Sequence, residues 1–516
     1  MKDGAYLAFH YGISQCWQRY KNNKGMSMKY SVVLGLLSII SAATFADSEY
    51  DEWLKQNAMD MGEAKQEFQD YMDAEDKAFL GFLKQQWKAV EVKKPVFLDD
   101  KPKPVLLPKA PKPADEKPIA DNTPVIKLPV IEPIIIAKPF KPEPAPKPQP
   151  AQPTVNTIEV NLFGHSLNLI EDKKLKQSFK GKMSSDNIAD FYSALASSPH
   201  DKVVNDLTTT AQRLKLNPWG TAVLFHHYVQ ALNVNGRNAQ QLTTWYLLVK
   251  AGFDARIAYN QNAFLLMPSK QALFGVTYFT FSNTRFYAVS LDGEKLSTGR
   301  AYTYDGKPSG ANTPLDFDNN QQLLASSQIK QKDLSFKYQG QTHNIQLHYD
   351  LGQIELAKTT PQLAISQYAH EGLPKSTSDE LLLQLAPLVQ GKSEQDAVNL
   401  LLRFVQTAFE YKTDEQQFRE ENYLYPIETL HYPYSDCEDR AALFAWLVKR
   451  LLKLEVVLLD YPGHIAAAVA FDGNTQGDSW MLNGRRYTVT DPTYINASAG
   501  MTMPNLKAYK PKLLTF

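Results

Sequence analysis

The sequence predicts an α+β protein: two related helix-and-sheet copies placed behind an export signal and a proline-rich spacer. Three observations carry this prediction. Strand–turn–strand patterns occur at two places, amphipathic helical stretches follow each of them, and the 31 prolines are unevenly distributed along the 516 residues. The chain carries 55 basic and 55 acidic residues, and 43% of it is apolar. It is too apolar for a wholly disordered chain and too long for one ordinary domain. A neutral balance with no basic block in the folded part argues against a dedicated nucleic-acid binder. Cys16 and Cys437 are the two cysteines, which excludes a disulfide framework and a Cys-rich zinc module.

Residues 1–46 read as an extension followed by a signal peptide. From Met28, Lys29 gives a positive start, Val32 to Ile40 an apolar run, and Thr44-Phe45-Ala46 a small-residue cleavage site. The apolar stretch of roughly 16 residues falls short of the roughly 20 that span a bilayer, which favours cleavage over a retained anchor. Export to a bacterial periplasm follows, with a membrane tether if the signal stays. Cleavage would remove Cys16 and leave Cys437 as the one thiol.

Residues 47–92 are charged, with Trp53, Phe68, Met72, Phe79, Phe82 and Leu83 at spacings that suit an amphipathic helix or helical hairpin. Residues 93–155 turn to Pro, Lys and Glu, a composition that predicts an extended, disordered linker without a core. Its roughly 60 residues could reach on the order of 190 Å. The apolar patch from Leu128 to Ile136 interrupts it as a candidate docking segment.

The globular part divides into residues 156–325 and 326–516. Ile158–Leu169 and Leu334–Tyr349 each read as a hairpin. Ala222–Leu232 parallels Ala397–Phe409, and Gln240–Lys250 parallels Asp439–Lys449. A β-leaning run follows in both copies, Ala255–Tyr259 and Glu455–Leu459.

The sharpest local signal is Tyr434-Ser435-Asp436-Cys437-Glu438-Asp439-Arg440. Ser435 and Glu438 have capping-box spacing ahead of a core helix, which puts Cys437 in its first turn. Unpaired N–H groups and the helix dipole lower a thiol pKa there, so this position favours a nucleophile over a buried structural cysteine. Downstream, Val456–Leu459 reads as a strand, Pro462-Gly463 as a turn, and His464–Phe471 as a strand with Ala466 and Ala468 on the histidine's face. Arg486–Thr490 is a further strand, closed by Asp491. A thiolate needs an imidazole to shuttle its proton and a third group to orient that imidazole.

Cysteine on a helix start, Gly-His opening a strand and Asp-Pro closing the next together resemble the transglutaminase-like superfamily of papain-fold proteins, over roughly residues 396–496. The resemblance implies a papain/transglutaminase-like core with Cys437 as nucleophile, His464 as general base and acid, and Asp491 as orienting carboxylate. The wider stretch also resembles uncharacterised bacterial envelope proteins that carry this domain. It implies acyl chemistry on amides through an acyl-thioester, with hydrolysis as a peptidase or amidase ahead of deamidation or transfer. Peptides, proteins or peptidoglycan peptides would be the substrates, and an envelope protein a possible partner.

An oxyanion donor could come from the Cys437 N–H with Gln416, Gln417 or Tyr432. Tyr425, Tyr432 and Tyr434, with Pro426 and Pro433, form an aromatic loop that lines a cleft or caps the helix. In the first copy, Asn238 aligns with Cys437, and Asn262 and Ala263 with Gly463 and His464, so that copy reads as catalytically silent. His226, His227, His343 and His348 converge on no shared ligand, and neither a metal nor a cofactor is expected. The competing reading is a binding or scaffold protein with a vestigial triad.

Overall fold

The computed structural model describes residues 74–85, 87–91, 94–97, 108–111, 123–128, 156–197, 200–293, 300–319 and 322–516. The expected signal peptide and most of the spacer lie outside these residues. So does most of the charged helical segment, of which residues 74–83 are helical. Leu80–Phe516 gathers into one compact unit that holds both sheets described below. Among the described residues no helix is long and apolar enough to cross a membrane.

The chain mixes helix and sheet, as expected for α+β. After the helical residues 74–83 come strand β1 (Lys88–Glu91) and a hairpin, β2 (Thr157–Leu162) and β3 (His165–Ile170). Four helices follow, α1 (Ser185–Ala196), α2 (Asp201–Leu214), α3 (Pro218–Ala231) and α4 (Arg237–Lys250). Five strands come next: β4 (Arg256–Tyr259), β5 (Ala263–Pro268), β6 (Tyr278–Phe281), β7 (Thr284–Val289) and β8 (Arg300–Thr303). A second hairpin, β9 (Ile329–Tyr338) and β10 (Gln341–Asp350), opens the later half. Its helices are α5 (Leu351–Thr359), α6 (Ile365–Glu371), α7 (Lys375–Val389) and α8 (Glu394–Ala408). Short elements then lead to the cysteine: β11 (Glu410–Tyr411), α9 (Asp414–Gln417), α10 (Pro426–His431) and β12 (Tyr434–Ser435). The last run is α11 (Cys437–Leu447), β13 (Glu455–Tyr461), β14 (His464–Ala470), β15 (Ser479–Leu482), β16 (Arg485–Thr490) and β17 (Lys512–Leu514).

The two sheets repeat one topology. The first runs β1-β8-β4-β5-β7-β6 and the second β17-β13-β14-β16-β15, so beyond β1 the strand order is the same. Each sheet is antiparallel throughout and follows a helix at the equivalent place, α4 before β4 and α11 before β13. Strand β1 corrects the helical expectation for residues 47–92 at its end. Lys88–Glu91 pairs with β8 and extends the first sheet.

The spacer is also not wholly extended and free. Lys109 bridges Ile495, and the Ala110 N–H donates to the Ile495 carbonyl at 2.8 Å. Val125 bridges Ser393, and Ala110 and Ile126 are buried. A Lys/Pro-rich composition builds no core of its own, but extended backbone still offers unpaired N–H and C=O groups to a neighbouring chain segment.

Strand β14 is buried along its whole length. Ala466, Ala468 and Ala470 pack with Val457, Leu459 and Val489, beneath Tyr494, Met503 and Leu506 of the C-terminal segment. The small side chains on the histidine's face therefore accommodate packed core. Pro462 and Gly463 form the two-residue turn between Tyr461 and its cross-strand partner His464. Gly463 sits at φ 71°, a conformation glycine adopts without a Cβ penalty, and this fixes His464 as the first residue of β14.

Candidate active site

Cys437 is the first residue of α11, but the cap differs from expectation. The sequence places a capping box at Ser435 and Glu438; in the structure it is Asp436 and Asp439, with the Asp436 N–H donating to Asp439 Oδ2 at 3.2 Å. Ser435 is still extended, paired in parallel with Tyr411, so the helix starts one residue later. Ser435 Oγ accepts from Arg440 Nε at 3.1 Å. Glu438 turns the other way, and Cys437 Sγ donates to its Oε2 at 3.0 Å.

His464 and Asp491 meet as a buried pair, Nε2 to Oδ2 at 2.9 Å, each side chain 2% exposed. Asp491 is itself held. Its Oδ1 accepts the N–H groups of Thr493 and Tyr494, at 2.9 and 3.1 Å. Gln406 secures the same segment from α8: its Nε2 donates to the carbonyls of Asp491, Tyr494 and Ala497 at 3.0, 2.8 and 3.0 Å. Because Nε2 is committed to Asp491, the other ring nitrogen is left to act. His464 Nδ1 is buried and has no hydrogen-bond partner among the described residues.

Cys437 and His464 line the same cleft, about 400 Å³ in volume. Phe274, Ile365, Tyr423 and Leu514 supply apolar wall, and Glu421, Glu438, Asp460 and Lys512 supply charge. Phe274 comes from the first half of the chain; its N–H donates to the Gln362 carbonyl at 2.9 Å.

The expected oxyanion donors are not brought there. None of Gln416, Gln417 and Tyr432 lines the cleft. Gln416 and Gln417 belong to α9. The Tyr432 ring packs edge-on against Phe418, with Lys358 Nζ 5.5 Å from its centre. The aromatic loop also turns inward elsewhere, since Tyr425 packs on Tyr368 at 4.5 Å and Tyr434 lies under Lys412. Tyr423 reaches the cleft in their place.

Two influences on the thiol oppose each other. The start of α11 favours a thiolate, whereas the buried neighbours Asp436 and Glu438 disfavour it. Arg440, fully buried beneath them, donates to the Phe409 carbonyl at 2.8 Å and offsets part of that charge. Burial brings its pKa down to about 10. Burial first, then Asp436 and Glu438, push the Asp439 carboxyl well above the usual range.

The same carboxylates form two groups whose oxygens approach within 4.8 Å, Asp414–Glu421–Glu438 and Asp414–Asp436–Asp439. Such all-oxygen sets suit a hard cation. They escape a search for His and Cys spacing because every member is a carboxylate, with Asp414 at the start of α9 and Glu421 just beyond it.

The four histidines set apart by the sequence occupy ordinary positions. His226 is buried against Thr244 at 3.2 Å, and burial lowers its pKa to about 4. His227 reaches the Asn161 carbonyl, His343 packs on Phe336, and His348 pairs with Glu380 at 2.9 Å.

In the first half, the residues aligned with Cys437 and His464 also meet. Asn238, on α4, accepts the Ala263 N–H through Oδ1 at 2.9 Å, and Ala263 opens β5 as His464 opens β14. Two residues without nucleophile or base thus occupy the matching junction. Comparison with protein-family models, with curated proteins and with solved structures gave no match.

Proposed function

We propose that the chain is a cysteine enzyme that cleaves amide bonds through an acyl-thioester, with Cys437, His464 and Asp491 in the roles the resemblance implies. The observation that carries this reading is the buried His464–Asp491 pair, whose open Nδ1 shares a cleft with a cysteine at a helix start. A Cys-bearing helix on an antiparallel sheet that carries His and Asp also supports the papain/transglutaminase-like reading of the second half. Export and a peptide or peptidoglycan-peptide substrate in the cell envelope belong to the same proposal.

The chemistry follows from the groups in place. His464 Nδ1 takes the thiol proton as Sγ attacks the amide carbonyl carbon. The tetrahedral intermediate collapses to a thioester, and the imidazolium returns its proton to the departing amine. Water then adds to the thioester carbonyl with His464 again accepting a proton; the adduct collapses, the acid departs, and the imidazolium returns its proton to Cys437 Sγ. Asp491, fixed by two backbone N–H groups, holds the ring tautomer and stabilises the imidazolium.

One observation favours the scaffold alternative: the thiol donates to Glu438, and no hydrogen bond joins it to His464 Nδ1. Incubation with p-nitrophenyl acetate separates the two. The enzyme reading expects one equivalent of p-nitrophenol in a burst, with the acetyl group on Cys437 by mass spectrometry. Cys437→Ser should lose the burst, and His464→Ala should slow it by at least about tenfold. A scaffold would give neither burst nor acylated Cys437.

A further inference from the structure

We infer that the spacer supplies a working part of the site: Phe97 stands at the rim of the Cys437–His464 cleft and limits the bulk of the acyl donor that reaches the thiol. The inference rests on the proposed enzyme function and names a specificity-determining residue for it. A Lys/Pro-rich stretch builds no core of its own, so its described pieces keep their places through partners elsewhere in the chain. The Gly275 N–H donates to the Val96 carbonyl at 2.8 Å. Residues 108–110 pair with the segment that follows Asp491, where the Ile495 N–H donates to the Pro108 carbonyl at 3.1 Å and Asn496 Nδ2 to the Ala110 carbonyl at 3.3 Å. Residues 124–126 pair with the turn between α7 and α8. There the Ile126 N–H donates to the Lys392 carbonyl and the Glu394 N–H to the Pro124 carbonyl, both at 2.8 Å. The spacer therefore straps onto the half that carries Cys437, His464 and Asp491, and its first anchorage lies at the cleft.

That anchorage places two aromatic side chains. Val96 precedes Phe97 and Gly275 follows Phe274, so the one hydrogen bond brings both phenylalanines to the cleft wall. Gly275 takes φ 68°, which glycine adopts freely, and Phe274 is pinned in turn by Gln362. The cleft then has a closed end and an open end. Cys437 is fully buried and His464 is 4% exposed, whereas Phe97 is 62% exposed. A donor bound for Sγ must pass this aromatic rim, and a packed wall admits extra bulk only at a cost. Narrow acyl groups, such as a glycyl or alanyl chain, therefore reach the thiol ahead of branched or ring-bearing ones. Because most of Phe97 faces solvent, changing it alters the opening without removing core packing.

Two neutral alkylating reagents of different width test the inference on the full chain, iodoacetamide and its N-diphenylmethyl analogue. In both, the thiolate bonds to the methylene carbon as iodide departs with the electrons of the carbon–iodine bond. Rates at Cys437 are followed by mass spectrometry at one pH, with a cysteine-containing peptide as reference. The wide-to-narrow rate ratio should fall below the peptide's by about tenfold or more. Phe97→Ala should raise that ratio by about threefold or more and Phe97→Trp should lower it, with the iodoacetamide rate little changed. Exchanging residues 94–97 for a Gly-Ser-Gly-Ser stretch should repeat the effect of Phe97→Ala. A ratio equal to the peptide's, one indifferent to these substitutions, or one lowered by Phe97→Ala would overturn the inference. The last result would make Phe97 a platform for the donor rather than a limit on it. His464→Ala reports separately on the enzyme reading. If it leaves the iodoacetamide rate unchanged while the Phe97 dependence persists, the catalytic role fails and the size limit stands.

Discussion

A carboxylate that holds a thiol works against the ionisation a nucleophile needs, so Glu438 opposes the role proposed for His464 at Cys437. Replacing Glu438 with Gln keeps the shape and removes the charge. Its thiol pKa should fall by on the order of one unit, and alkylation near pH 7 should speed up several-fold. Slower alkylation in that variant would make Glu438 a base rather than a restraint. Asp491→Asn tests the other side. The ring loses its fixed tautomer, and turnover of an amide substrate should drop about 10²-fold or more while Cys437 remains acylable. At this scale the sequence was informative about types and less so about partners. Cys437, His464 and Asp491 stand out because their motifs are local, each at the end of an element. The extended pairing of Ser435 with Tyr411 comes from a residue 24 positions upstream, so the one-residue shift of the cap, and with it the turn of Glu438 onto Cys437 Sγ, was not legible.

Elements place these residues, and Gln406 on α8 is the joint between two of them. Its amide group caps three carbonyls in the segment after β16. Gln406→Leu would leave all three without that donor. The Asp491 and Tyr494 carbonyls keep the N–H groups of Tyr494 and Ala497 as donors, so at about 1–3 kcal/mol for a buried unsatisfied group the change should cost about 1–3 kcal/mol of stability, read in a denaturant titration. The variant's surviving folded fraction should also show slower acylation of Cys437, because Asp491 loses its support. Unchanged stability would mean that water replaces the amide there. The hairpins and the helix-then-strand order were readable from alternation and helical spacing in Ile158–Leu169, Leu334–Tyr349 and Gln240–Lys250. The docking of Lys109 on Ile495 and of Val125 on Ser393 was not, since proline-rich composition reports the absence of a core and is silent on long-range edge pairing.

Across the whole molecule, the two sheets share a strand order and differ in the chemistry at one junction. The halves also contribute jointly to the cleft, through Phe274. Stability of this assembly should depend on pH through groups away from the thiol. Burial raises Glu371 to about 7 from an ordinary 4.5, so the fold disfavours its charged form. That group's stabilising share is intact below about pH 4.5 and is lost as pH rises through 7. Glu371→Gln should therefore gain about 2–3 kcal/mol over the parent at pH 8 and nothing at pH 4. His226, lowered to about 4 by burial, has the opposite limb, with its share complete above about pH 6.5 and lost as pH falls toward 4. Parallel denaturation curves for the Glu371→Gln variant and the parent at every pH would contradict this.

The central claim is that Cys437 and His464 act as a pair, and iodoacetamide tests it most directly. The rate of Cys437 alkylation is followed across pH by mass spectrometry in the parent chain and in His464→Ala. The account predicts an apparent thiol pKa well below the ordinary value of about 8.5, with that depression abolished in the variant. An inert Cys437, or an ordinary thiol indifferent to the loss of His464, would contradict it.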